Sequence, residues 1–430
     1  MKRLVILLMS VFFKLVSISN GQLSIDYCQS RALENYPLIR QYKLIEQTSE
    51  LNVSNAGKSY LPQLSLSARA SYQSDITAIP PELGSALSQM TGRDVRFDPV
   101  NKDQYQIIAE LSQIIWDGGN VRAQKELIKS TGETDSKVLE VELYSIKERV
   151  NSLFFGILLL EANKKQVESV QDELNLQISN IESYIANGIA NQSDLDLIRA
   201  EKLKSLQRFE EINSEIEAYR EMLFLMTNDP KVLDSELSAP VYDKYNNDYQ
   251  VINRPELGLF EAQRNLQTNR EKLLHSYNMP KIGLFLRGAY GNPGLNMLEA
   301  GFTPYYIFGL RLDWNLSGFY SFDNNLELIE INKKNIELRE ETFVYNTKLK
   351  ITKIRRNINK LEEQLKNDEE IISLRKKLKE YGEVKLQNGT SNYNELLRLI
   401  ISQNNAELEM KQRQVELLMS IYNLKNIVNY

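Results

Sequence analysis

Two hydrophobic periods alternate along this chain. From Leu64 to Tyr72 apolar residues take every second position (Leu64, Leu66, Ala68, Ala70, Tyr72), with Ser65, Ser67, Arg69 and Ser71 between them. That period of two predicts a strand with one apolar and one polar face. A returning strand from about Gln104 to Trp116 is less regular: Tyr105, Ile107, Ala109 and Leu111 line one face, and Gln106, Glu110 and Ser112 much of the other. The pair recurs in the second half. Ile282, Leu284, Leu286, Gly288 and Tyr290 alternate, and a strand from Tyr305 to Trp314 follows with Arg311 and Asp313 on one face.

After each pair the period lengthens. Val167, Val170, Leu174, Ile178, Ile181 and Ile185, and later Leu361, Leu365, Ile372, Leu374, Leu378 and Tyr381, recur at three-four spacing, which is a coiled-coil seam. No proline lies between Val121 and Pro230, and none follows Asp323. A helix of about 65 residues at 1.5 Å each is on the order of 100 Å long. Asn187-Gly188 and Asn388-Gly389 interrupt these runs. Glycine there permits the left-handed residue that ends one helix before the next begins, so each run is a long helical hairpin.

The two halves are copies of one unit. Asn35 to Tyr72 aligns without gaps on Asn253 to Tyr290, with Pro37, Pro62 and Arg69 matched by Pro255, Pro280 and Arg287, 218 residues on. In each copy a helix opens after Asn-x-Pro, where proline suits the first turn, and runs to about Lys58 or Ser276. The expected organisation is repeat 1 over 22–230, with a strand pair in 63–116, a linker over 231–252, and repeat 2 over 253–430, with a strand pair in 281–316.

The start of the chain reads as a secretory signal peptide over 1–21. Met1-Lys2-Arg3 is basic, Leu4 to Val16 is apolar but for Lys14, and Ser19 and Gly21 are small residues suited to cleavage before Gln22. Lys14 leaves too short an apolar run to span a bilayer, which takes about 20 residues. No later run is longer, so no α-helix is expected to hold the protein in a membrane.

Loss of Lys2, Arg3 and Lys14 takes the net charge from −5 to −8, which argues against nucleic acid as a partner. The single cysteine, Cys28, cannot form an internal disulfide. Ile25-Asp26-Tyr27 before it does not suit lipidation, so Cys28 is expected to be a half-buried helix residue. The single histidine, His275, leaves no room for a histidine metal cluster or a histidine-based triad. No G-x-S-x-G, P-loop or H-E-x-x-H occurs; no enzyme activity, cofactor or metal is expected.

Each strand has roughly the ten residues of a tilted transmembrane strand. Tyr60, Tyr72, Tyr105, Trp116, Tyr290, Tyr305, Tyr306 and Trp314 cluster near strand ends, as an interfacial aromatic belt would. Four strands cannot close a barrel, and single-chain barrels start at about eight. A membrane-spanning sheet must therefore borrow strands from other copies. Two ordinary surface hairpins are the competing reading. Arg69, Glu110, Arg287, Arg311 and Asp313 face the lumen in the first case and solvent in the second.

The chain resembles the TolC family of outer-membrane efflux proteins over nearly all of its mature length. The resemblance is carried by Ala32-Leu33-Glu34-Asn35-Tyr36-Pro37 and its echo Asn253-Arg254-Pro255, by Tyr60-Leu61-Pro62-Gln63-Leu64, by Gln113-Ile114-Ile115-Trp116-Asp117-Gly118-Gly119 before the first long helix, and by Tyr381 to Leu396 around Gly389. It implies a mixed α/β membrane channel: a homotrimer whose strand pairs form a 12-stranded β-barrel in outer-membrane lipid, continuous with a periplasmic α-helical barrel. It also implies a periplasmic adaptor (membrane fusion) protein and an inner-membrane transporter as partners in efflux or type I secretion. The segments Asp75 to Lys102 and Asn292 to Pro304 become extracellular loops. The tunnel closes at the hairpin tips, Gly188 and Gly389, where Asp194, Ser391, Glu395 and Arg398 match the family's gate positions. Some members carry two acids where this chain has Glu395 with Arg398. The alternative function is a periplasmic adaptor or coiled-coil scaffold, which would carry one hairpin and a lipoyl-like β domain. The sequence names no cargo.

Overall fold

The computed structural model describes residues 23–95, 100–186, 191–241, 251–299 and 301–429. The expected signal peptide and the Asn187-Gly188 turn lie outside the described residues. In chain order the elements are α1 (Ile25–Asn35), α2 (Gln41–Gly57), β1 (Gln63–Tyr72), α3 (Pro81–Thr91), β2 (Asp103–Trp116), α4 (Asn120–Ala186), α5 (Gln192–Thr227), α6 (Lys231–Asp234), α7 (Pro255–Tyr277), β3 (Lys281–Asn292), β4 (Thr303–Asp313), α8 (Phe322–Gln387) and α9 (Tyr393–Val428). A strand pair followed by a long and a shorter helix thus occurs twice. α4 has 67 residues and α8 has 66, the lengths that the proline-free runs allow.

Boundaries differ from expectation where proline acts locally. Pro37 opens a 3₁₀ turn, Pro37–Arg40, and the α-helix starts only at Gln41, whereas Pro255 is itself the first residue of α7. α3 sits inside the segment expected to be only a loop. Pro81 starts it and Gly92, at φ +62°, ends it. The last strand stops at Asp313, so Trp314 lies beyond it, and Leu316–Tyr320 is a 3₁₀ turn.

The chain forms two compact units. One comprises the described parts of Met1–Tyr42, Lys137–Gly258 and Arg339–Tyr430; the other comprises those of Lys43–Ser136 and Leu259–Leu338. Each draws on both halves of the chain. In the second unit the reason is backbone pairing: the two strand pairs join into one antiparallel sheet in the order β1-β2-β3-β4.

In that sheet the register sorts residues as the alternation predicts. Leu66 faces Ala109, Ala109 faces Gly288, and Gly288 faces Tyr306; on the other parity Glu110 faces Ser65 and Arg287. The apolar face collects Leu64, Leu66, Ile107, Leu111, Leu286, Phe308, Leu310 and Leu312, all exposed, with Leu66 at 76% and Phe308 at 65%. The polar face is the more shielded of the two. In β2, positions Gln104, Gln106, Ile108, Glu110 and Ser112 are half-buried while their neighbours from Asp103 to Leu111 are exposed. A water-soluble sheet buries its apolar face. Here the order is inverted.

The helical unit is built conventionally. Phe154, Phe155, Ile146 and Ile157 of α4 are almost fully buried, and each such side chain contributes on the order of 1.5–3 kcal/mol. Leu23 bridges to Leu237, and the Tyr27 hydroxyl donates to Asp229 Oδ2 at 2.6 Å, tying the start of the described chain to the segment after α5. Cys28 is 0% exposed, not half-buried as expected. The bonds of Leu23, Tyr27 and Asn35 to residues 226–238 pin α1 along its whole length. The seam residues of α4 are buried or half-buried, whereas in α8 Leu374, Leu378 and Tyr381 are exposed. Nothing among the described residues covers that stripe.

Candidate conduction face and hairpin tip

Three of the five residues expected to line a lumen meet on the polar face of the sheet. Register places Glu110 of β2 opposite Arg287 of β3. The Arg287 guanidinium donates to Glu110 Oε2 through Nε at 2.9 Å and Nη2 at 2.6 Å. From β4, Arg311 Nη2 reaches Glu110 Oε1 at 3.4 Å, and its guanidinium lies 5.1 Å from the Phe285 ring centre. Asp313 is on the same face, opposite Lys281. Arg69 lies apart, near the loop end of β1, in a cavity of about 330 Å³ lined by Gln104, Gln106, Asn292 and Tyr305 among others. It makes no ion pair among the described residues.

Where β2 passes into α4, Asp117 is 2% exposed. Its Oδ1 accepts from Gly119 N at 3.0 Å and from the Tyr60 hydroxyl at 2.7 Å, and its Oδ2 accepts from Val121 N at 2.6 Å. These bonds occupy N–H groups that a helix start leaves without partners. Burial works to raise the carboxyl pKa, but the Val121 and Gly119 N–H groups and the Tyr60 hydroxyl outweigh it and hold it below the ordinary value. The same hydrogen bond, then burial, pushes Tyr60 up to about 12. Gly118, at φ +69°, has no room for a side chain: a Cβ would sit 2.2 Å from Met279 Cβ. The Gly-rich motif is therefore a tightly packed junction between strand and helix, with Asp117 buried within it. His275 packs edge-on against Phe322 at 5.0 Å, a structural role.

The tip of the second hairpin is a Schellman turn. Thr390 N donates to Lys385 O at 2.9 Å and Gly389 N to Leu386 O at 3.0 Å, with Gly389 at φ +68°. Asn392 then caps α9, its Oδ1 accepting from Glu395 N at 2.9 Å, and the Ser391 hydroxyl donates to Glu395 Oε2 at 2.8 Å. In the first hairpin Asp194 Oδ2 accepts from Asn191 N at 3.2 Å. Asp194 and Glu395 thus hold the same place, the third residue of a helix, where the dipole favours a carboxylate. Gly188 lies outside the described residues. Arg398 is exposed and makes no ion pair among the described residues.

The two hairpins pack together beside these turns. Leu174, Ile181, Leu195 and Ile198 form one core with Tyr393, Leu396, Leu397 and Ile400. Within it the Tyr393 hydroxyl donates to Gln177 Oε1 at 2.7 Å, Gln177 Nε2 donates to Glu173 Oε1 at 2.8 Å, and Lys379 Nζ lies 2.9 Å from Glu173 Oε2. Burial pushes the Tyr393 phenol pKa upward. The sequence reading missed Tyr393. Its signal was Gln177, a polar residue beside the seam positions Leu174, Ile178 and Ile181, which demands a buried partner. Among the described residues no group of His, Cys, Asp and Glu is placed to hold a metal ion, and no helix is long and apolar enough to cross a membrane.

No protein-family model matches the chain, and no curated protein sequence does. Solved structures match it over nearly its whole length. The outer membrane protein VceC of Vibrio cholerae superposes at a TM-score of 0.67, with 13% identity over 94% of this chain and 95% of that one. The CmeC outer membrane channel of Campylobacter jejuni gives 0.65 and 16% over 94% and 85%. The open state of the Neisseria gonorrhoeae MtrE outer membrane channel gives 0.59 and 15% over 94% and 88%. The chain has the fold of TolC-like outer-membrane efflux channels.

Proposed function

We propose that the chain is one of three identical subunits of an exit duct in the outer membrane of a Gram-negative cell. The observation that carries this reading is the inverted sheet, with its apolar face outward and its charged face shielded. That is the polarity of a strand between lipid and a watery lumen. Among the described residues the outer edges of β1 and β4 have no partner strand, and each unpaired backbone group in lipid costs several kcal/mol. Three copies bring twelve strands and remove both edges by closure. The uncovered seam of α8 supports the same assembly, because a helix of a second copy would complete it.

In this reading cargo moves passively, an inner-membrane transporter supplies the energy, and a periplasmic adaptor docks at the hairpin tips. The connections after β1 and β3 face outward from the cell. Asp194 bonds its own helix start and Glu395 the Ser391 hydroxyl, which leaves Arg398, without an ion pair among the described residues, to bridge subunits and hold the mouth shut. An adaptor or scaffold has no use for a sheet built to face lipid. Chemical cross-linking of detergent-extracted protein is the direct test: three subunits are expected, and a stable soluble monomer would sink the proposal.

A further inference from the structure

The charges on the shielded face of the sheet are not balanced. Strand parity and register place six charged side chains there: Arg69, Glu110, Lys281, Arg287, Arg311 and Asp313. Four are cations and two are carboxylates. The net is two positive charges per chain, against a net of −5 for the whole sequence. Lys281 faces Asp313 and offsets it. Glu110 is shared by two arginines, so one positive charge survives there as well as the one on Arg69.

The surviving cations are held in place. Arg287 spends two donors on one oxygen of Glu110 and Arg311 one on the other, while Phe285 supports the Arg311 guanidinium from its face. A guanidinium has five N–H donors, so both arginines keep donors for an anion. Arg69 is placed differently. Its cavity is lined by the amides of Gln104, Gln106 and Asn292, by Tyr305 and by apolar residues such as Leu295 and Met297, with no carboxylate. Rings of arginine or lysine select anions in pores, and potentials of several kT build up where one sign of charge lines a low-dielectric wall.

We infer that the barrel is an anion-preferring path, with Arg69 as a landing site for anionic groups near the loop end, and that it suits solutes carrying a carboxylate, sulfate or phosphate. The inference rests on the duct reading above, in which three chains place six net positive charges around one lumen. It fixes a property that the fold does not fix.

The test is the reversal potential of purified trimers in planar bilayers under a potassium chloride gradient. The wild-type chloride-to-potassium permeability ratio should exceed one severalfold at 0.1 M salt and fall toward one at 1 M, where screening shortens to about 3 Å. Arg69→Glu removes two units of charge per chain, leaves the Glu110 cluster intact and should bring the ratio close to one. Arg69→Lys should keep it, and Glu110→Gln should raise it. A conducting wild type with a ratio of one or less overturns the inference and leaves the duct standing. So does an Arg69→Glu channel with the wild-type ratio, since selectivity would then be set elsewhere. Folded trimers that pass no current even as the Arg398→Ser variant would count against the duct itself.

Discussion

Removing one hydroxyl, with Tyr393→Phe, should loosen the hairpin tip selectively. Tyr393 is 3% exposed and its ring belongs to the core shared by α4, α5 and α9; phenylalanine keeps those contacts. What is lost is the donor to Gln177 Oε1 at 2.7 Å. Gln177 is itself buried, so its oxygen is left without that partner where water does not readily reach. An orphaned buried acceptor costs about 1–3 kcal/mol, which makes local opening roughly 5- to 150-fold more frequent. Amide hydrogen exchange reads this directly, because protection follows the opening free energy. Peptides covering 393–400 should lose protection by that factor, while peptides from β1 to β4 should be unchanged. Adding Gln177→Leu makes both partners apolar and should restore only part of the protection, since removing a bonded pair together is nearly neutral while Glu173 Oε1 loses its own bond from Gln177 Nε2. Protection within twofold of wild type in Tyr393→Phe would show that this bond does not hold the hairpins together.

Four further outcomes follow from the same geometry. Leu66→Arg puts a charge on the face assigned to lipid and should cost about 2–4 kcal/mol near the bilayer midplane. It should lower the yield of assembled trimer on unheated gels, whereas Ser67→Arg on the opposite face should not; equal yields would remove the lipid assignment. Asp117, whose folded pKa is depressed, contributes stability that is complete above its unfolded value of about 3.9 and is lost as pH falls through the folded value. Asp117→Asn should lower the thermal midpoint at neutral pH and flatten the loss below about pH 4; an unchanged acid profile would clear Asp117 of that role. A short epitope after Gly92, which closes α3 and has open space around it, should be labelled on intact cells, and labelling only after outer-membrane rupture would reverse the topology. Arg398→Ser should raise single-channel conductance by loosening the closed mouth. Each exposed bridge is worth up to about 1 kcal/mol and three of them act together, so unchanged conductance would place the gate elsewhere.

The sequence carried the parts of this fold that follow from short-range pattern. Strict alternation in Leu64 to Tyr72 was enough to place β1 to within one residue, and proline-free seams were enough to size α4 and α8. Information failed at distances the pattern does not span. The bond between Arg287 and Glu110 joins residues 177 apart and depends on β2 pairing with β3, which no local signal specifies. The Tyr393 bond to Gln177 spans 216. Strand parity did sort lumen candidates onto one face, but only register shows that Glu110 is shared by two arginines while Arg69 stands alone. α3 was missed because proline and glycine punctuate helices and loops alike. At the tip, Asp194 and Glu395 were noticed for their charge; the structure gives Asp194 a capping bond to Asn191 N and gives Glu395 a bond from the Ser391 hydroxyl, local roles that a single sequence does not separate from a gate.

A single chain leaves two surfaces without partners, and they differ in kind. The stripe of Leu374, Leu378 and Tyr381 on α8 lacks only apolar cover, which water tolerates at a cost of roughly 25 cal/mol for each Å² left exposed. Among the described residues the outer edges of β1 and β4 have no partner strand. Water satisfies such an edge, but lipid does not. The helical surfaces can therefore meet at any stage, whereas the sheet is stable in a bilayer only once its edges are paired. In the proposed trimer this orders assembly, with association of chains coming before or together with insertion of the strands. It also gives a reason for the regular alternation in β1. A strand that waits in water with both faces and one edge exposed is protected from mispairing chiefly by register, and a slip of one residue would turn Leu64, Leu66 and Leu310 toward the charged face. In the proposed barrel that slip would leave Arg69 and Arg311 in lipid, so the pattern that makes β1 legible in the sequence would also penalise the wrong closure.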